Sequence, residues 1–491
     1  MKHDANSFAK DHGSDALRDE LDKADRFEPK PDDIDAIPPA FSDSALALRF
    51  VELHADDLRF VAEQGRWFKW NGKWWQFDRV LGTGFAVWKI CNVAAAECNK
   101  PGVSRMIASA KTIAAVERLA RCSPRLAATA EQWDADPWLL NTTGGIVDLR
   151  TGKIGKHRPE AFCTKITAVA PDVNCPIIRW LKFLHRITGG ARPTLFPIDT
   201  APGTPQWWPP GDEKLIAFLQ RVFGYALTGS TRDQAMFFAH GGGANGKTIL
   251  INLMANIMGS YHTAAPIATF TAQQFDRHPT DLADLCGARL VTAVETEEGR
   301  QWAESKIKAL TGGDKIKARF MRQDFFEYTP QFKLLVAGNH KPGLTSVDTA
   351  IRRRLHLIPF TVTIDDDERC DVAEMLKEEW PGILHWAIQG CLDWQSNGLN
   401  PPPAVRDATE RYFEAEDTIL SWIEECCERD PYAVETTARL YSSFTAHSIA
   451  TGEITTITKR RFTDSLAEHG FERQRDKTER GFRGLRLRPE R

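Results

Sequence analysis

Apolar positions change their rhythm several times along this chain, and the changes mark out its parts. Residues 1–37 carry eleven Asp and Glu against six Lys and Arg with few apolar positions, which predicts a disordered acidic arm ending in the proline-rich run Ile37-Pro38-Pro39-Ala40-Phe41. Trp67, Phe68 and Trp70, then Trp74, Trp75 and Phe77, flank Asn71-Gly72. Asn-Gly between aromatic runs predicts a tight hairpin, because both residues tolerate positive φ. A base-stacking platform and a small hairpin core both fit these rings, and the core is the plainer account. A helical stretch follows over roughly 84–128, and Trp133–Gly155 reads as strands and turns.

The segment 189–212, rich in Gly, Pro and Thr, reads as a loop or insertion, and 213–228 as an amphipathic helix. From about 230 to 400, short apolar strands alternate with helices, an α/β pattern. Beyond Pro401-Pro402-Pro403, helices lead to a basic, hairpin-like end. The expected layout is an arm at 1–45, a mixed α/β domain at 46–228, an α/β domain at 229–400 and a smaller domain at 404–491.

The most informative segment is the passage from Met236 to Met258. Gly241, Gly242, Gly243, Ala244, Asn245, Gly246, Lys247 and Thr248 fit G-x-x-x-x-G-K-T in full. An apolar strand precedes the loop and an apolar helix, opening with Ile249, continues it. In that context glycines let backbone amides wrap around phosphates, and the helix N-terminus adds partial positive charge. Lys247 is then the group that reaches the β- and γ-phosphates, and the Thr248 hydroxyl a ligand for Mg²⁺. ATP and Mg²⁺ are the expected cofactors.

Hydrolysis needs carboxylates at the end of a neighbouring strand. Arg289–Val294 is such a strand, followed by Glu295, Glu297 and Glu298. Glu295 is assigned to the metal and Glu297 to the attacking water, with Glu298 as a substitute for either. A third strand, Phe332–Ala337, ends in Gly338-Asn339, so Asn339 is placed to sense the γ-phosphate. Three arginines, Arg352, Arg353 and Arg354, then precede a fourth strand. In a ring, an arginine presented to a neighbour's ATP offsets charge in the transition state.

Between the acids and the sensor, Lys315, Lys317 and Arg319 alternate with Ile316, Ala318 and Phe320, with Arg322 near the turn. The period of two predicts a hairpin with one basic edge suited to DNA phosphates. Residues 459–491 hold eleven Lys and Arg against six Asp and Glu. Lys459, Arg460, Arg461, Arg473, Arg475 and Arg483 are the candidates there for duplex DNA.

Bulk composition adds boundaries. Over 491 residues, 63 Lys and Arg meet 66 Asp and Glu, a formal net charge of −3, so any nucleic-acid surface is a local patch. None of the ten cysteines forms a C-x-x-C pair, and the 13 histidines do not join them at zinc spacing, which predicts reduced thiols in a cytoplasmic protein. No apolar run approaches the roughly 20 residues of a membrane span, and no signal-peptide core opens the chain. Asp134 and Asp136, a tempting two-metal pair, precede a predicted strand and read as structural.

Taken together, GGGANGKT, LVTAVETEEG, the LTGGDKIKAR hairpin with KLLVAGNHKP, and AIRRRLHLIPF resemble superfamily 3 helicases of the phage and poxvirus branch. The resemblance runs over roughly residues 50–490 and includes the segment WDADPWLLNTTGGIVDLRTGKI ahead of the phosphate loop. It implies an AAA+-like P-loop ATPase domain with a mixed α/β domain before it and a winged-helix-like domain after it. It also implies a hexameric ring on single-stranded DNA, moving 3′→5′ during replication of a phage or mobile element in the host cytoplasm. Lys247 and Thr248 carry over as Walker A residues, Glu295 and Glu297 as Walker B, Asn339 as sensor 1, and Arg353 or Arg354 as the arginine finger. Family members commonly have Trp-Arg-Arg at the triplet, and Arg354 is favoured here. Larger relatives add a primase. Only about 45 residues precede the family-like region, so a separate primase partner is expected.

A second account is an ATP-switched initiator that binds duplex origin DNA without processive unwinding. The basic hairpin favours the motor, since a switch has no use for it in a channel. A small-molecule kinase needs neither the hairpin nor the arginine triplet.

Overall fold

The structure is a computed structural model that describes residues 38–190, 211–272, 280–295, 300–321, 324–344, 348–365, 372–416, 418–451, 457–475 and 480–488. The arm at 1–37 and most of the predicted insertion at 189–212 fall outside the described residues, as do Glu297, Glu298 and Arg322. The described residues form two compact units, one within Met1–Asn71 and Trp75–Trp133, the other within Gly72–Trp74 and Asp134–Arg491. The division therefore falls at Trp133, inside the stretch 46–228 that the sequence reads as one domain.

In the first unit, α1 (Asp43–His54) starts at Ser42, whose side chain accepts from the Ala45 amide. Strands β1 (Leu58–Val61), β2 (Arg66–Trp70), β3 (Trp75–Phe77) and β4 (Ala127–Ala128) form a sheet ordered β3-β2-β1-β4. Asn71-Gly72 lies between β2 and β3, which pair antiparallel with Trp70 opposite Trp75. Trp67 and Trp75 are buried, so the rings build a hairpin core. Helices α2 (Gly82–Glu97) and α3 (Ala110–Ala120) pack Val87, Ile90 and Val116 on that core.

The second unit opens with a three-stranded antiparallel sheet, β5 (Leu139–Thr142), β6 (Gly145–Asp148) and β7 (Lys153–Gly155). Asp134 accepts hydrogen bonds from the amide and hydroxyl of Thr164, and Asp136 pairs with Arg150 at 3.0 Å. Both aspartates thus hold the entry to this sheet. Helices α4 (Ile178–Ile187) and α5 (Glu213–Leu227) follow.

The central element is a five-stranded, all-parallel sheet of β8 (Met236–His240), β9 (His262–Ala264), β10 (Leu290–Glu295), β13 (Lys333–Gly338) and β14 (Leu355–Pro359), ordered β14-β8-β13-β10-β9. Its inner strands are mostly apolar, as expected where both faces of a parallel sheet are packed. Phe237, Ala239, Leu335 and Ile358 face a core shared with α4, α5, α6 (Lys247–Met258) and α9 (Trp380–Asn397). Met236, Phe238, Val291, Val336 and Leu357 face a second core with Trp302, Ile307, Tyr412 and Phe413.

Helices α5 and α9 cross closely. A Cβ on Gly224 would sit 2.1 Å from the Cys391 amide nitrogen, and one on Gly390 would sit 2.1 Å from the Gln220 carbonyl oxygen, so the contact needs glycine on both sides. On the second core's side run α7 (Glu304–Gly312), the hairpin β11 (Ile316–Ala318) and β12 (Phe326–Tyr328), and the short α8 (Thr349–Arg352). Helix α10 (Pro403–Glu416) leads to α11 (Thr418–Cys426), β15 (Cys427–Thr436), α12 (Thr437–Ala450), α13 (Lys459–Glu468), β16 (Glu472–Arg475) and β17 (Arg480–Leu487). Their antiparallel sheet, ordered β15-β17-β16, encloses its own core around Trp422, Phe444 and Phe462.

Candidate functional site

Strand β8 runs straight into the glycine loop, and α6 begins at Lys247. Positive φ at Gly243 (+95°), Ala244 (+49°) and Gly246 (+82°) turns the backbone back on itself. Gly241 and Gly246 are required sterically as well. A Cβ on Gly241 would lie 2.2 Å from the Phe360 carbonyl oxygen, and one on Gly246 would lie 2.4 Å from Ile187 Cγ2. The chain after β14 braces the loop from two sides. Asn245, buried, donates from Nδ2 to the Phe360 carbonyl (3.2 Å), and the Ile364 amide donates to the Ala244 carbonyl (2.6 Å). The loop's curvature is therefore set by the protein before any ligand arrives.

The N-cap of α6 is Gly246, which offers no side chain, and among the described residues the first-turn amides of Lys247, Thr248 and Ile249 meet no side-chain acceptor. Such a terminus favours an anion through its free N–H groups and its dipole. Lys247 is only 5% exposed, and burial pushes its pKa down. Its Nζ donates to the Gly241 carbonyl at 2.6 Å and to Asn339 Oδ1 at 3.2 Å. Thr248 is exposed on the first turn of α6, where its hydroxyl is accessible to a metal ion.

The sheet brings the remaining parts to the same edge. Register aligns Pro359, His240, Gly338 and Glu295 in one row across the C-terminal ends of four strands. Ligand sites of parallel sheets lie at these ends. Asn339, one residue beyond the row, leaves the strand that separates β8 from β10. Glu295 closes β10 on its far side, with its side chain outside the described residues.

His240 is a member of this edge that no motif identifies. Burial, then the charges of Lys341 and Lys247, push its pKa down to about 4, against a backbone hydrogen bond to Asn339. It is thus neutral beside the loop at neutral pH. A polar residue closing an otherwise apolar strand was its only sequence signal.

Of the three arginines, the structure separates the roles. Arg352 pairs with Glu410 at 2.7 Å and lies over the Phe413 ring. Arg354, favoured by the motif as the finger, is 5% exposed: its Nε donates to Thr311 Oγ1 (3.1 Å) and its Nη1 to the Ala350 carbonyl (2.8 Å). Burial, then Arg353, lowers its pKa. That guanidinium is engaged within the fold of this chain. Arg353 is exposed, with no side-chain hydrogen bond or ion pair among the described residues.

The hairpin forms in the expected place, with Lys317 opposite Glu327. Lys315 and Lys317 are exposed, and Lys317 pairs loosely with Glu327 at 3.7 Å. Arg319 departs from the basic edge. It is half-buried with its guanidinium 4.8 Å from the Phe325 ring centroid. Phe320 and Met321 instead stand exposed near the turn.

In the C-terminal part, Lys459, Arg460, Arg473 and Arg480 line a cavity of about 870 Å³ beside Thr437 at the start of α12. Arg473 also pairs with Asp464. Arg483 faces elsewhere: on the central strand β17, its Nε donates to the Pro431 carbonyl (3.0 Å). The side chains of Arg461 and Arg475 lie outside the described residues.

Comparison with known proteins extends this picture. Residues 47–189 match the family described as D5 N terminal like, and residues 239–354 match a family of unknown function, DUF5906. The candidate helicase 022R of Frog virus 3 is 26% identical over 48% of this chain and 26% of its own length. The candidate primase C962R of African swine fever virus is 21% identical over 64% of this chain and 33% of its own length. The chain thus spans about a third or less of these relatives' lengths. The solved C-terminal region of NrS-1 superposes with a TM-score of 0.48 at 10% identity, over 90% of this chain and 99% of that one. The chain is thus similar to proteins of the phage and viral primase–helicase family. No helix among the described residues is long and apolar enough to cross a membrane.

Proposed function

We propose that this protein is an ATP-dependent, ring-forming DNA helicase of the superfamily 3 type, translocating on single-stranded DNA during replication of a phage or mobile element in the host cytoplasm. One observation carries the reading. The sheet inserts the Asn339 strand between the phosphate-loop strand and the Glu295 strand, so Lys247, Asn339 and Glu295 converge on one edge. A phosphate binder alone does not need a polar sensor and an acid on adjoining strands; a nucleoside triphosphatase does.

In this reading the domain around the parallel sheet is an AAA+-like P-loop ATPase. The loop from Gly241 to Gly246, the first turn of α6 and Lys247 hold the ATP phosphates, and Thr248 with Glu295 holds Mg²⁺, which would stabilise charge on the transferred phosphoryl group. Glu297 orients the attacking water. Arg353 is the finger offered to a neighbouring subunit in a hexamer, because its charge faces out of the fold. Lys315 and Lys317 meet the phosphates of single-stranded DNA. A separate primase would supply primers.

The C-terminal element order, with its basic cavity between α12, α13 and the β16–β17 hairpin, suits a winged helix on duplex DNA. That cavity supports the second reading, an ATP-switched initiator at an origin.

Steady-state ATPase with and without single-stranded DNA, for wild type and Lys247→Ala with particle size recorded, separates the two. Several-fold stimulation, a dead variant and a ring-sized particle support the motor. ATP binding with no response to single-stranded DNA removes it in favour of the initiator.

A further inference from the structure

The turn that carries Arg353 and the hairpin that carries Lys315 and Lys317 are joined through one helix, α7. The hairpin is its direct continuation: α7 ends at Gly312, Gly313 turns with φ +85°, and β11 begins at Ile316. The arginine turn is held to the same helix by two polar links. Asp348 caps α8 through Oδ1, which accepts from the Ile351 amide at 2.9 Å, while its Oδ2 accepts from Lys308 Nζ at 2.5 Å. One turn further along α7, Thr311 Oγ1 accepts from Arg354 Nε at 3.1 Å and donates to the Ile307 carbonyl at 2.7 Å.

Apolar packing fills the space between these links, with Ile307, Leu310 and Ile351 in one core. Lys308 and Asp348 are about a quarter exposed or less, so water screens the pair only in part. The far sides are anchored as well. The Met236 amide donates to the Arg354 carbonyl (2.7 Å), and Gln234 Nε2 donates to the Gly312 carbonyl (3.1 Å). Residues on both sides of the exposed Arg353 are therefore fixed to α7, and α7 has little freedom except to move with them.

We propose that Lys308 and Thr311 are positioning residues that lock α7 to the arginine turn, so that nucleotide contact at Arg353 and nucleic-acid contact at Lys315 and Lys317 are energetically linked. The inference rests on the proposed function for the identity of the two ligands. A shift of the turn by one ligand displaces the helix and, with it, the hairpin that meets the other. Such a linkage is reciprocal, so the factor by which ATP changes DNA affinity equals the factor by which DNA changes ATP affinity.

The test measures affinity for a fluorescein-labelled oligothymidylate with and without a non-hydrolysable ATP analogue, in wild type, Lys308→Met, Thr311→Val and Lys308→Arg. Thermal melts accompany each variant. In wild type the analogue tightens binding several-fold. Lys308→Met keeps the aliphatic packing and loses the ion pair, so it retains nucleotide-free affinity while the factor falls toward one. Thr311→Val does the same with little change in volume, and Lys308→Arg restores much of the factor. A purely structural role predicts lowered melting temperature with the factor unchanged, and that result overturns the proposal. A wild type that binds both ligands without linkage also overturns it, and the ATPase response to single-stranded DNA then tests the proposed function separately. A wild type that binds neither ligand overturns both.

Discussion

The ammonium group of Lys247 lies 3.2 Å from Oδ1 of Asn339, joining the first turn of α6 to the end of β13 across 92 residues of sequence. The same ammonium donates to the Gly241 carbonyl at 2.6 Å, so one cation ties together the loop, the helix and the sensor strand. In the proposed function, a phosphate entering the loop would compete for this cation, and Asn339 would read the outcome. Asn339→Ala is expected to bind ATP with little change while kcat falls about 10²-fold, the scale for losing one positioned polar group at developing charge. Equilibrium binding of a fluorescent ATP analogue beside steady-state hydrolysis checks this. An equal loss in both would make Asn339 a binding residue only.

The loop's glycines divide by what surrounds them. Gly241→Ala and Gly246→Ala drive a methyl into the Phe360 carbonyl and Ile187, the latter also at φ +82°, whereas a Cβ on Gly242 meets nothing within 4 Å. The first two are expected to abolish ATP binding, and Gly242→Ala to preserve it. Isothermal titration of the three variants is the check.

Arg353 and Arg354 are neighbours with opposite expectations. Arg354→Ala leaves Thr311 and the Ala350 carbonyl short of a donor inside the fold, a loss of about 1–3 kcal/mol that a thermal melt detects. Arg353→Ala is expected to melt like wild type and to lose hydrolysis in the assembled ring. Mixing it with Lys247→Ala should restore part of the activity, because each supplies what the other lacks at a shared site.

His356 supplies a pH dependence. Burial pushes its pKa down to about 4, and its ring stacks on Phe237 with centroids 5.6 Å apart. The unfolded imidazole takes up a proton near pH 6.5, as an ordinary histidine does. Between about pH 6.5 and 4 the unfolded chain thus binds a proton that the folded chain refuses, and stability falls as pH falls. His356→Phe keeps the stacked ring and removes the proton, so its melting temperature should fall less steeply than wild type over that window. Equal slopes would mean that His356 titrates normally in the fold.

Much of the architecture was legible along the chain. The strand, glycine loop and helix from Met236 to Met258 depend on neighbours in sequence, and so do the Asn71-Gly72 hairpin and the Lys315–Tyr328 hairpin. Turn chemistry and apolar period act over a few residues, so no distant partner had to be known.

What the chain could not reveal were choices made by packing between distant segments. Three consecutive arginines at the end of a helix have three different surroundings: Thr311, 43 residues away, accepts from the buried Arg354, Glu410, 58 residues away, pairs with Arg352, and Arg353 is exposed. Arg319 leaves its basic edge because Phe325 offers a ring to cover. The meeting of Lys247 with Asn339, and the neutral His240 beside them, follow from parallel register across β8, β13 and β10. The sequence by itself determined which chemical groups the protein has and the local shapes that hold them. Only the tertiary structure decided which of those groups face solvent and which meet, because burial and register are settled by contacts between residues far apart in the chain.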